Sequence, residues 1–340
     1  MATVRIGLDL KHDGRGFEMS AEDMLALASQ AEDIGFESIW TNEDIGFDSF
    51  SILSAIAQRT KRVLLGTAIV NVYNRSAMQL AMAGATLDSL SGGRAVLGIS
   101  VGHHPWNDFG HGIPIDKPLA RLREYIEFLR KALSGNAFTH DGTVFRGVDT
   151  RLAFDPVRPA IPLLVAGERP RIISLAGEMA DGLMVNVVSP DYVRDTAIPA
   201  FRAAAEEAGR DPSQLEVTAL VTCCYSEDDD EALGWARAMV AHRLRQSLKL
   251  LDTQPVTRHA EIRRVHEYML SGNRAEAAAN VSEELARSIV VAGDSRELTS
   301  GIERYVEAGC TRVILVAYPR GRDAVDRLCS VASSVVGRAL

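Results

Sequence analysis

One pattern recurs along this chain: an amphipathic helix ends at glycine, and a short aliphatic or β-branched run follows within a few residues. Ser20 to Ile34 places Met24, Leu27, Ala28, Ala31 and Ile34 at the spacing of a single helix face. Ser20 and Asp23 suit its first turn and Gly35 its C-terminal end, after which Glu37-Ser38-Ile39-Trp40 reads as a strand. The unit returns at Ala205–Gly209 before Leu215–Val221, and again at Tyr305–Gly309 before Arg312–Ala317. Leu122, Tyr125, Ile126, Leu129 and Leu133 mark a further helix stopped by Gly135.

The strands this pattern predicts are Val4–Leu10, Glu37–Thr41, Val63–Val70, Ala95–Val101, Ile161–Ala166, Gly182–Val187, Glu216–Val221 and Arg312–Ala317. Several are nearly all apolar, as parallel strands covered on both faces must be. Eight strands alternating with helices over 340 residues predict an α/β fold, a (β/α)8 TIM barrel. A doubly wound sheet is the competing architecture, but its G-x-G-x-x-G turn is missing after the first strand, where Gly14 and Gly16 stand alone. No linker rich in Pro, Gly or Ser divides the chain, so residues 1–340 read as one domain. The polar stretch 252–285, broken by Pro255 and Ser271-Gly272-Asn273, reads as a helical insertion between the last two strands. The acidic run Glu227–Glu231 reads as a solvated helix start.

Composition narrows the function classes. Hydrophobic residues make up 46% and charged residues 24%, the profile of a soluble globular protein. No apolar run approaches the roughly 18 residues that span a bilayer, and the first residues enter a strand pattern without a leader's apolar core. A cytoplasmic location without membrane contact is expected. The net charge of −8 argues against nucleic-acid binding but leaves room for a local basic pocket. Cys223, Cys224, Cys310 and Cys329 form no CxxC pair, so they read as small apolar side chains and no metal is expected.

In a barrel, active-site groups follow the C-terminal ends of the strands. That singles out Thr41-Asn42-Glu43-Asp44, Asn71-Val72-Tyr73-Asn74-Arg75, Gly102-His103-His104-Pro105-Trp106, Gly167-Glu168-Arg169-Pro170-Arg171, and Asn186 with Ser189-Pro190-Asp191. A carboxyl at Glu43 or Asp44, set in an apolar mouth, suits a general acid or base, a helix cap or a substrate contact. Gly167 before a helix start, with Arg169 and Arg171 beside it, suits a phosphate. His103 and His104 are adjacent, so their side chains diverge; His103, His104, Trp106 and Asn186 are candidates to line a pocket.

Leu65–Arg75 and its continuation Ala85–Ile99 resemble the third-strand region of the bacterial luciferase-like flavin-dependent oxidoreductases. Ala166–Arg171, Leu175–Gly182, and Val291–Asp294 leading to Tyr305–Gly309 resemble that superfamily too, in the same order along nearly the whole chain. Within it the chain most resembles the branch that uses the deazaflavin coenzyme F420, including the methylenetetrahydromethanopterin reductase-like proteins. The resemblance implies a barrel with the ring at its C-terminal mouth, supported by a bulge with a non-proline cis peptide at Ala68-Ile69. It implies cofactor contacts from Ala68, Ile69, Asn71, Arg75, Gly102, Gly167, Glu168 and Arg169. It also implies a polar site residue at His103.

Many F420-dependent relatives carry Asp-His where this chain has Glu43-Asp44, so the imidazole that handles a proton in them is absent. Glu43, Asp44 and His103 are the catalytic candidates. The function expected is hydride transfer between F420 and a small organic substrate. The alternatives are an FMN-dependent monooxygenase fed by a separate reductase and a non-catalytic flavin-binding barrel. A homodimer is expected from the resemblance, with the helix Met78–Leu90 a candidate contact through Met82, Ala83 and Leu87.

Overall fold

The computed structural model describes residues 5–10, 19–43, 45–102, 106–246 and 248–333, leaving aside the side chains of Trp106, Asp108, Phe109, Gln246 and Lys249. The strands are β1 (Arg5–Asp9), β2 (Ser38–Thr41), β3 (Leu64–Thr67), β4 (Val70–Asn71), β5 (Ala95–Ser100), β6 (Phe138–Asp141), β7 (Arg146–Thr150), β8 (Leu163–Ala166), β9 (Gly182–Asn186), β10 (Glu216–Tyr225), β11 (Val290–Gly293) and β12 (Arg312–Ala317). Parallel pairing runs β1-β2-β3-β5-β8-β9-β10-β12, and β12 returns to β1, which closes the barrel. Every strand predicted from sequence takes its place in that ring.

Two strands differ from expectation. The predicted Val63–Val70 strand stops at Thr67, and its pairing with β5 resumes at Val70 as β4, so Ala68 and Ile69 bulge out of register. The predicted Glu216–Val221 strand runs on to Tyr225 because it changes partner. Glu216–Leu220 pairs with β9, whereas Thr222–Tyr225 pairs with β11, which was not among the predicted strands. The antiparallel hairpin β6–β7 was also unanticipated.

The outer layer consists of α1 (Ala21–Ile34), α2 (Ser49–Arg59), α3 (Ala77–Ser91), α4 (Pro118–Leu133), α5 (Pro170–Met179), α6 (Pro190–Tyr192), α7 (Ile198–Glu207), α12 (Ser295–Glu307) and α13 (Arg322–Ala332). Local sequence sets their ends. Ser20 and Asp23 form a capping box on α1, Ser76 and Gln79 another on α3, and Gly35 ends α1 at φ 108°. The segment after β10 contributes α8 (Asp229–Gln246), α9 (His259–Leu270), α10 (Arg274–Ala279) and α11 (Glu283–Ile289). With β11 they enclose a second hydrophobic core, to which α8 already contributes Ala236, Val240 and Leu244. Val187 after β9 and Tyr318 after β12 pack against this core, which seats it at the C-terminal rim. Among the described residues, no helix is long and apolar enough to cross a membrane.

Alternation along the strands divides the barrel into an outer and an inner layer. Ile6 and Leu8 join the large cluster shared with the helices, whereas Trp40, Val96, Leu164, Met184, Leu220 and Ile314 fill the interior. Trp40 lies where glycines make room for it. A Cβ on Gly66 would stand 2.1 Å from Trp40 Cε3, and one on Gly7 2.9 Å from Trp40 Nε1. That nitrogen donates to Ser38 Oγ at 2.8 Å, so the indole is satisfied without water. At the N-terminal end, Arg312 is 1% exposed and plugs the barrel. Its guanidinium donates to Glu37 at 3.0 and 3.1 Å and to Glu216, and it lies 5.4 Å from the Trp40 ring.

Candidate active site at the barrel mouth

At the C-terminal end the same inward alternation brings polar and small side chains to the top layer. Asp9 shares its face of β1 with Gly7, opposite Ile6 and Leu8, and its register partners are Trp40 and Val316. It is 1% exposed. Asn186 follows Met184 on the interior side of β9, and Thr222 follows Leu220 on that of β10. Between them Ala68, Ala166 and Val316 form an apolar floor, with half-buried Ile69 at its edge.

The bulge is built by hydrogen bonds that the flanking strands cannot otherwise make. The Thr67 hydroxyl donates to Gly98 O and accepts from Gly98 N, each at 2.9 Å. Gly98 is required there, since a Cβ would stand 2.1 Å from Thr67 O. Ala68 N donates to Thr41 O at 2.7 Å, and Glu43 N donates to Ile69 O at 3.1 Å. The Ala68–Ile69 peptide is cis, as the resemblance implied.

Two residues assigned separate tasks from sequence meet here. Arg75 Nε donates to the Glu43 carboxylate at 2.8 and 3.0 Å, and Nη2 reaches Glu43 and Asp48 as well. The guanidinium also lies 5.1 Å from the Phe50 ring. The hydrogen bond to Glu43, ahead of the burial that opposes it, holds the Arg75 pKa above its ordinary value. Asp48 additionally caps α2 by accepting from Ser51 N at 2.7 Å. Glu43 is therefore placed as an anchored acceptor, with its carboxylate turned to a guanidinium.

The remaining candidates serve the loops as well as the mouth. Asn71 is buried, accepts from Tyr73 N at 3.0 Å and donates to Asn107. Gly102 has φ +73°, and a Cβ there would stand 2.2 Å from Asn71 Nδ2, so the two residues specify each other. Gly167 lets α5 close on β8, since a Cβ would stand 2.4 Å from Ile172 Cγ2. Glu168 O accepts from the Tyr192 hydroxyl at 2.5 Å, and exposed Arg169 pairs with Asp252 at 3.2 Å. Asp44, His103 and His104 lie outside the described residues, as does the side chain of Trp106.

Sequence reasoning passed over Asp9, although its signal was present. In Ile6-Gly7-Leu8-Asp9-Leu10 the aspartate falls on the face opposite the three aliphatic residues, at the functional end of the strand. The four cysteines are buried and free, and burial pushes the Cys223 thiol up to about 12, so none is poised as a nucleophile. Among the described residues, no cluster of His, Cys, Asp or Glu has the geometry of a metal site.

The donor set fits a flavin-like cofactor. The floor of Ala68, Ala166 and Val316 offers an apolar shelf for a planar ring. Helix α5, ten residues long, starts at Pro170 with no side-chain cap and with Arg169 and Arg171 exposed, a cationic helix start suited to phosphate.

A family model described as luciferase-like monooxygenase matches residues 1–312. The chain is 26% identical to a 5,10-methylenetetrahydromethanopterin reductase of Archaeoglobus fulgidus, over 98% of this chain and 99% of that one. It is 27% identical to an F420-dependent glucose-6-phosphate dehydrogenase of Kineococcus radiotolerans, covering 94% and 95% of the two chains. Among solved structures it is similar to the coenzyme F420-dependent tetrahydromethanopterin reductase of Methanopyrus kandleri, with a TM-score of 0.85, 26% identity and 98% of each chain covered.

Proposed function

Since the chain belongs to the luciferase-like monooxygenase family and is an enzyme of that class, we propose that it is an F420-dependent oxidoreductase acting on a small organic substrate at the barrel mouth. The observation that carries the reading is the top layer itself: an apolar shelf bordered by Asp9, Asn186 and Thr222, beside a cationic helix start. Similarity to F420-dependent relatives along nearly the full chain favours the deazaflavin over FMN.

Bound F420 supplies two-electron hydride chemistry. The chain's contribution is binding, orientation and proton management. Ala68, Ile69, Ala166 and Val316 support the ring's face, while Gly167, Glu168 and the α5 start, with Arg169, hold the phosphate-bearing tail. Glu43, fixed by Arg75, accepts a hydrogen bond from cofactor or substrate. Asp9 takes the proton role at its carboxyl oxygens, because it is a buried carboxyl on the interior face of β1, in register with Val316 at the edge of the shelf. Thr222 and Asn186, two and three strands from Asp9 around the ring, orient the substrate. The homodimer forms through α3, where Met82 is 51% and Leu90 49% exposed while Leu87 is committed to the core.

Titration of the purified protein with oxidised F420 and with FMN tests the assignment. Saturable F420 binding with no FMN binding is the expected result; tight FMN binding without F420 overturns the deazaflavin reading in favour of a monooxygenase supplied by a separate reductase. Sedimentation of the wild type against Met82→Lys checks the dimer, which the variant should split.

A further inference from the structure

Behind the mouth, α4 touches the loop that carries Arg75 at two points. Arg121 lies 4.5 Å from the Tyr73 ring and 5.1 Å from the Phe145 ring, and its Nε donates to Val72 O at 3.3 Å. One turn on, the single proton of the fully buried Tyr125 hydroxyl lies between two carbonyls, Arg75 O at 3.2 Å and Ser76 O at 3.3 Å. Ser76 caps α3, and its carbonyl already accepts from Leu80 N within the helix. Arg75 precedes the cap, so its carbonyl stands outside the helical ladder and needs a partner from elsewhere. Tyr125 supplies one to the residue whose side chain grips Glu43.

The phenol is itself held in place. Its ring meets Phe145 edge-on with centroids 5.4 Å apart. Phe145 is fixed by the turn of the hairpin, where the Glu124 carboxylate accepts from the backbone N–H groups of Thr143, Val144 and Phe145 at 2.5 to 3.0 Å. A chain of contacts thus runs from the β6–β7 turn through Phe145 and Tyr125 to the Arg75 backbone, and from its guanidinium to Glu43.

We propose that Tyr125 is a positioning residue for the mouth: its hydroxyl fixes the Arg75 carbonyl, so that the guanidinium meets the Glu43 carboxylate through both Nε and Nη2. This inference rests on the F420 reading for its binding readout but not for its structural one. Tyr125→Phe keeps the ring and its contact with Phe145 and removes only the bond to the loop. Tyr73→Phe is the matched control, since it deletes a hydroxyl from the Arg75 loop itself, the one that donates to Asp116 O at 2.6 Å.

The first measurement is the side-chain Nε–H signal of Arg75 in 15N spectra of the cofactor-free protein, assigned by its loss in Arg75→Lys. Tyr125→Phe should shift or broaden that signal and Tyr73→Phe should not. An unmoved signal in Tyr125→Phe, or an equal change in the control, overturns the proposal. The second is F420 affinity in a double-mutant cycle. Tyr125→Phe should weaken binding roughly fivefold in the wild-type background, the scale of one hydrogen bond, and have no effect in Arg75→Met. Additive losses overturn the proposal. If the wild type does not bind F420, the functional reading fails while the spectra still decide the role of Tyr125.

Discussion

Arg312 at the lower end of the barrel and Asp9 at the upper end are equally buried, each 1% exposed, yet their surroundings differ in kind. Arg312 is held between Glu37 and Glu216, and Arg5 joins the group through Glu216 at 3.0 Å. Those charges are satisfied by one another across β1, β10, β12 and the start of β2, and they stitch the sheet shut where the chain has no chemistry to do. Asp9 lies level with Trp40 and Val316, at the edge of a shelf of small apolar side chains. A barrel separates stability from function by end, and the same strand can serve both: Arg5 and Asp9 are the first and last residues of β1.

The largest expected effect breaks the lower end. Arg312→Leu leaves two carboxylates without their shared partner and should cost about 3–5 kcal/mol in equilibrium denaturation. F420 affinity of the folded fraction should hold within about twofold, and its collapse would show that the two ends are not separable. Asp9→Asn should do the reverse. Stability stays within about 1 kcal/mol, while F420-coupled turnover on small alcohols or carbonyls falls on the order of a hundredfold and one limb of the pH–rate profile is lost. An unchanged rate removes Asp9 from the mechanism. Glu43→Gln sharpens the comparison within the mouth. It takes one of two carboxylates from Arg75 and should weaken F420 binding about five- to tenfold, measured by fluorescence titration.

The smallest effect is a pH dependence at Asp48. Burial pushes this carboxyl up, but bonds from Ser51 and the Arg75 guanidinium outweigh it and hold the folded pKa below the ordinary 3.8. A depressed folded pKa contributes stability that is fully present above the unfolded value and lost as pH falls through the folded one. Denaturation curves taken from about pH 5 down to about pH 3 should therefore lose stability, and Asp48→Asn should remove well under ~1 kcal/mol of that loss, because the pair is part-exposed. A variant curve parallel to that of the wild type would contradict the assignment.

The barrel was legible because strands covered on both faces read as nearly all-apolar runs, as in Ala95–Val101 and Arg312–Ala317. The β6–β7 hairpin escaped because it is polar and lies outside the ring, although Asp141-Gly142 at its turn is a hairpin signal. β11 escaped because it is only four residues long and follows α11 with no turn between them. At the mouth, strand ends and glycines located the loops that border the apolar shelf, since backbone needs are local. The Arg75–Glu43 pair was not legible, because 32 residues separate the partners and only the closed sheet brings them together.

β10 is ten residues long and leaves β9 for β11 partway along, so one continuous strand belongs to the ring and to the helical canopy above it. For anyone exchanging that canopy, the transferable cassette cannot be cut at the helices alone. It must include the upper half of β10 together with β11. A graft that stops short would leave raw hydrogen-bonding edge at the rim, inviting neighbouring molecules to complete the sheet.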